Sequence, residues 1–148
     1  MRTLFVIVRG LMIAWLLPLP AWAADALKPV TVAQGLVNPW SLAFLPDGRM
    51  LVTERPGRLR VIDKDGSLGA PISGLPAVSV GGQCGLLDVA LDPGFAANGI
   101  VYFSYAEPAT APDSGNSTAV ARGKLAGNAL TDLRVIFVQR PKVSSNAH

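Results

Sequence analysis

A short apolar segment ending in proline occurs twice in the chain. Ala43-Phe44-Leu45-Pro46 aligns with Ala90-Leu91-Asp92-Pro93 at an offset of 47 residues. Each copy leads into a Gly-containing turn and then an apolar run, Met50 to Glu54 and Ile100 to Ala106. The third runs also end in comparable turns, Asp63-Lys64-Asp65-Gly66 and Leu125-Ala126-Gly127-Asn128. There the offset has grown to 62, because Glu107 to Ser117 is a longer polar loop. A four-stranded unit of this period is what a β-propeller blade requires. Such a unit cannot bury both of its faces alone, so it needs neighbours on either side.

The runs themselves read as strands. Trp40 to Leu45 is nearly continuous and apolar, as expected of a strand buried on both faces, with Trp40 in the blade core. Pro46-Asp47-Gly48-Arg49 supplies turn chemistry, and Met50 to Glu54 returns. Arg55-Pro56-Gly57 turns again into Arg58 to Ile62, whose alternation suits a half-exposed strand with Arg55, Arg58 and Arg60 on a solvated surface. Further strands are expected at Leu86 to Leu91, Ile100 to Ala106, Thr118 to Leu125 and Arg134 to Val138. No amphipathic helix of ten or more residues is evident after the N-terminus. The fold class is all-β.

The first 23 residues have a different character. Arg2 and Arg9 precede an uncharged apolar core, Gly10 to Leu17, and Pro18 and Pro20 precede the small-x-small site Ala21-Trp22-Ala23. This is the pattern of a cleavable secretory signal peptide, with cleavage expected after Ala23. The apolar core is too short for a membrane span, which takes about 20 residues. A periplasmic or secreted protein, without a stable membrane span after cleavage, is therefore expected. Residues 24–148 are expected to form the N-terminal part of a β-propeller domain. At 47 residues per unit they hold two blades and the start of a third. A propeller closes with at least ~4 blades, so a longer parent protein is expected.

Charge and cysteine content exclude other classes. The chain carries 13 Lys and Arg against 10 Asp and Glu, and loss of Arg2 and Arg9 with the leader reduces the net charge from +3 to +1. With no basic cluster, nucleic acid is not an expected partner. One Cys and one His make neither a disulfide framework nor a Cys/His zinc site.

Three motifs in order carry a family resemblance. The first runs from Gly35-Leu36-Val37-Asn38-Pro39-Trp40 to Gly48 and continues as Leu51-Val52-Thr53-Glu54-Arg55-Pro56-Gly57. The second is Gly82-Gln83-Cys84-Gly85-Leu86-Leu87-Asp88-Val89-Ala90-Leu91-Asp92-Pro93, and the third is Pro141-Lys142-Val143-Ser144-Ser145-Asn146-Ala147-His148. Together they resemble the glucose/sorbosone dehydrogenase family, the soluble aldose sugar dehydrogenases that use pyrroloquinoline quinone (PQQ). The resemblance covers nearly all of Thr31 to His148 and implies a six-bladed β-propeller. It also implies PQQ as cofactor, calcium held by ligands beyond residue 148, an aldose sugar as substrate and an external electron acceptor.

The chemistry asks for particular groups. Oxidation of a sugar hydroxyl by hydride transfer needs a base for the O–H proton, and neutral imidazole, with an ordinary pKa of ~6.5, suits that role. PQQ is a planar quinone with three carboxylates, so its pocket calls for cationic and amide donors. By resemblance, His148 is the general base and Gln83 a polar ligand of substrate or cofactor, each at the approach to an innermost strand. Asp88 supports them, or else caps buried strand-end N–H groups. Asn146 stands one position further from the histidine than the Asn or Asp that commonly adjoins it in the family, and Ala147 fills that place. Cys84 replaces a usual glycine and reads as a small buried thiol. No metal ligand is expected within the chain. A non-catalytic propeller that binds carbohydrate or protein through the same funnel is the alternative. A lactonase-type hydrolase needs more carboxylates than Asp88 and Asp92 supply.

Overall fold

A computed structural model of the chain describes residues 27–111 and 114–144. The expected leader and its cleavage point, and the positions of Asn146 and His148, lie outside the described residues. Leu27 to Val30 form no regular secondary structure, and Thr31 onward belongs to a separate compact unit. No described helix is long and apolar enough to cross a membrane.

That unit contains two antiparallel sheets. The first is β1 (Pro39–Phe44), β2 (Met50–Glu54) and β3 (Arg58–Ile62), in that order. The second is β4 (Leu86–Leu91), β5 (Ile100–Pro108), β6 (Asn116–Ala126) and β7 (Ala129–Val138), also in chain order. One short helix, α1 (Phe95–Asn98), lies between β4 and β5. Such meanders, placed face to face with β4 beside β1 and β2, are two consecutive blades of a β-propeller.

The repeat is kept down to single pairs. In the first sheet Pro39, Leu42, Ala43 and Phe44 pair with Glu54, Val52, Leu51 and Met50. In the second, Leu86, Val89, Ala90 and Leu91 pair with Tyr105, Phe103, Tyr102 and Val101. Every inner-strand residue is thus displaced by 47 positions and every partner by 51. The four extra residues are taken up around α1. Both pairings also break register at the same place, between Pro39 and Leu42 and between Leu86 and Val89.

The core forms where the sheets meet. Leu45, Leu51, Leu59 and Ile72 join Leu86, Val89, Val101, Phe103, Tyr105, Ala119, Ala121 and Leu130 in one buried cluster. Val101, Phe103 and Tyr105 are alternate residues of β5, which is the period a strand requires to present one face. Burying each such side chain is worth about 1.5–3 kcal/mol. Phe103 and Tyr105 pair across to Ala121 and Ala119 of β6, which are small and fully buried.

Four expectations need correction. β1 is not buried on both faces: Trp40, Leu42 and Phe44 are exposed by 51, 43 and 74%. Trp40 is consequently not in the core. The cause is the blade geometry, since only one face of the first sheet has a neighbouring sheet among the described residues. Arg58 and Arg60 are not a solvated surface, for both fold over Glu54, which is completely buried. A buried carboxylate has to be paired, and those guanidiniums are within reach of it. Finally, β7 starts at Ala129 rather than Arg134, and its first half is interrupted at Asp132, where φ is 50°.

Candidate functional site

Gln83 stands at the corner of a tight turn. Cys84 N donates to Gly81 O at 2.8 Å, which closes the four residues Gly81 to Cys84 and leaves Gln83 exposed just before β4. Cys84 is 1% exposed, the small buried thiol the sequence predicts. Its Sγ lies 3.8 Å from Asn116 Oδ1.

The turn is held from the first blade. The Arg55 guanidinium donates to Gly82 O, and Leu86 N donates to Arg55 O at 3.0 Å. Gly85 is required by that approach: a Cβ there would lie 2.2 Å from Arg55 O. Ala106 N completes the fastening by donating to Gly85 O at 2.9 Å. A turn gripped this closely leaves the main chain of Gln83 little freedom, while its side-chain amide stays exposed.

The chain that leads to His148 returns to this end of the blade. Asn116 and Val143 exchange two main-chain hydrogen bonds, both 3.0 Å. Gly115 makes room for them, because a Cβ at that residue would lie 2.3 Å from Val143 O. Beside them Lys142 Nζ bonds to Glu107 Oε2 at 2.6 Å and to Ser117 Oγ at 3.2 Å. Asn116 therefore touches both the Gln83 turn, through Cys84, and the final described segment, through Val143. Burial, with Glu107 beside it, pushes the Tyr105 hydroxyl up to about 12. The Tyr105 Oη–Glu107 Oε1 separation is 3.4 Å.

Asp88 has a different setting from the one expected. It is exposed in the middle of β4 rather than a buried cap at a strand end. Ser41 Oγ donates to Asp88 Oδ1 at 2.5 Å, and the same oxygen accepts Val89 N at 2.9 Å. The register break in β4 turns this N–H away from the ladder, so the adjacent carboxylate takes it. Ser41 and Asp88 are 47 residues apart, the same position in successive inner strands.

The structure brings the Gln83 turn and the segment 139–144 to one end of the second blade, and sets Asp88 further along β4. It also supplies residues to which the sequence reading gave no part in the site: Arg55, Asn116, Glu107 and Lys142. Lys142 lies inside the third motif and Arg55 inside the first, which was the available signal. Among the described residues no three His, Cys, Asp or Glu side chains are grouped to hold a metal ion.

The model of the glucose/sorbosone dehydrogenase family matches residues 36–148. Aldose sugar dehydrogenase YliI of Escherichia coli K12 is 45% identical over 131 residues, which are 86% of this chain and 35% of that protein. A crystal structure of a glucose dehydrogenase superposes with a TM-score of 0.72 at 46% identity, over 80% of this chain and 35% of that one. The PQQ-bound form of aldose sugar dehydrogenase from Streptomyces coelicolor gives a TM-score of 0.61 at 32% identity, over 78% and 34% of the two chains. The chain thus spans about a third of the length of these relatives. With the fold, the paired blades and the family match in agreement, this chain belongs to the glucose/sorbosone dehydrogenase family.

Proposed function

We propose that the protein to which this chain belongs oxidises aldose sugars with PQQ, and that this chain supplies the general base His148 and the polar ligand Gln83. The observation that carries the proposal is the convergence described above. The exposed Gln83 amide and the segment leading toward His148 are fastened to the same end of one blade through Asn116.

Gln83 fits a group rich in carbonyl and carboxylate acceptors, since its amide offers N–H donors at an exposed turn. The bound quinone supplies the acceptor for the hydride. His148, as neutral imidazole, takes the proton of the sugar hydroxyl while the hydride leaves its carbon, and Asn146 lies close enough in sequence to orient the ring. Asp88 supports this arrangement from a distance, by fixing the inner strands to each other through Ser41. Calcium, as the resemblance implies, would be held by ligands beyond residue 148. An external acceptor would take up the two electrons removed from the sugar. In the cell the leader directs export to the periplasm or the medium, with cleavage after Ala23.

The test is titration of the full-length gene product with PQQ, with and without calcium, while following sugar-dependent dye reduction. Reduction that requires both PQQ and an aldose is expected, together with loss of at least 100-fold, roughly the contribution of a general base, in His148→Ala. Absence of any rate, with no spectral change in the quinone, supports a non-catalytic binding propeller instead.

A further inference from the structure

Lys142 is buried to an extent unusual for lysine: its side chain is 5% exposed. An ammonium has three N–H donors, and here each has an acceptor. Lys142 Nζ lies 2.6 Å from Glu107 Oε2, 3.2 Å from Glu107 O and 3.2 Å from Ser117 Oγ. Saturated and covered in this way, the ammonium has no donor left for a substrate or a quinone. Whatever it does, it does through the main chain that carries it.

That main chain is the approach to His148. Val143 is joined to Asn116 by an isolated bridge, outside the named strands. The bridge, with Gln139 N donating to Thr118 O at 2.9 Å, fixes where the main chain passes. The Lys142 ammonium adds a side-chain anchor between these two points. Glu107 and Ser117 are suitable hosts because they are the penultimate residue of β5 and the second of β6, paired directly opposite each other. The clamp is thereby built into the blade itself.

We infer that Lys142 is a positioning residue for the approach to His148, its ammonium locking the incoming chain at 142–143 onto β5 and β6. The inference rests on the dehydrogenase reading above. Proton abstraction is sensitive to such placement, and a misplacement of about 1 Å costs on the order of 100-fold in rate.

The test compares Lys142→Met, which keeps the aliphatic stem and removes the ammonium, with wild type in the full-length PQQ-loaded protein. The expected result is a kcat lower by about 10- to 100-fold at unchanged KM and unchanged PQQ affinity. Hydrogen exchange should accelerate in the peptide 139–148 and stay unchanged in β1 to β3. Glu107→Gln, which weakens the clamp from the other side, should give the same split between kcat and KM, and serves if Lys142→Met fails to fold. Wild-type kcat in either folded variant overturns the inference, as does faster exchange spread evenly over the whole protein. A wild-type protein that shows no PQQ-dependent oxidation overturns the dehydrogenase reading itself, and is recognised before any substitution is made.

Discussion

At Gly85 and Gly127 the same amino acid is required for different reasons, and the two can be separated by experiment. Gly85 is pressed against the Arg55 carbonyl, where a Cβ would sit at 2.2 Å. Gly127 has nothing within 4 Å of its ideal Cβ, but its φ is +59°. Gly127→Ala should cost only the left-handed backbone penalty, about 1–2 kcal/mol. Gly85→Ala must push the first blade away from the Gln83 turn, an overpacking that costs about 1–3 kcal/mol or more. Urea midpoints of the full-length protein give the stabilities, and the PQQ affinity should drop in Gly85→Ala alone. Equal affinities in the two variants would disconnect the Arg55 contact from ligand binding. Tyr105 provides a titration test on the same blade. Its hydroxyl ionises at about 12 when folded, against 10.0 ordinarily, so the unfolded chain loses that proton first. Stability from this residue is complete below pH 10 and is lost as pH rises toward 12. Tyr105→Phe should flatten the loss of melting temperature over that interval.

The strand elements were readable where alternation and turn chemistry agreed. β2, β3 and β4 begin and end where the sequence predicts, because Pro46-Asp47-Gly48, Arg55-Pro56-Gly57 and Asp63-Lys64-Asp65-Gly66 punctuate the first two, and Gly85 and Asp92-Pro93-Gly94 flank the third. The first half of β7 was missed because Thr131-Asp132 departs from strand chemistry, and α1 because four residues carry no periodicity. The candidate site was readable at Gln83, whose turn is local. Its supports were not: Arg55 is 27 residues from Gly82, and Lys142 is 35 from Glu107. Folding, not local pattern, brings such residues together. The conserved register break shows the same division of information. In the first blade Thr53 Oγ1 accepts Ser41 N at 3.0 Å, and in the second Ser104 Oγ accepts Asp88 N at 3.1 Å. The hydroxyls stand 51 residues apart, as their strands do. Thr53 also donates to Leu87 O at 2.6 Å and is completely buried, so it ties the blades together. Thr53→Val keeps the shape but leaves that carbonyl and the Ser41 N–H without the hydroxyl, for a loss of about 1–3 kcal/mol. Ser104→Ala, at a half-buried position where water can substitute, should cost less than about 1 kcal/mol. Denaturant unfolding of the two variants ranks them, and the reverse order would deny Thr53 its role between the blades.

For the whole molecule, the decisive property is what two blades leave uncovered. Trp40, Leu42 and Phe44 project from β1, while Val135, Ile136 and Phe137 on β7 are exposed by 45, 52 and 54%. Groups of this kind are rare on soluble monomers and mark surfaces that associate. Among the described residues β1 and β7 are, moreover, terminal strands of their sheets, and the outer edge of β7 is met by Ser73 only at its start. Residues 24–148 expressed alone should therefore self-associate, lack a cooperative melt and show no PQQ-dependent dye reduction. Sedimentation velocity across a concentration series would reveal the association as a growing weight-average size. Phe44→Lys combined with Phe137→Lys should shift the distribution toward monomer by placing a charge at each exposed patch. The net charge of residues 24–148, close to zero, gives little opposing repulsion, so the effect of two added lysines should be large at low salt and weaken as salt screens them. A monodisperse wild-type monomer with a sharp melt would show that two blades suffice for a stable fold. If that monomer also oxidised sugars, the chemistry would need nothing beyond the residues between Ala24 and His148.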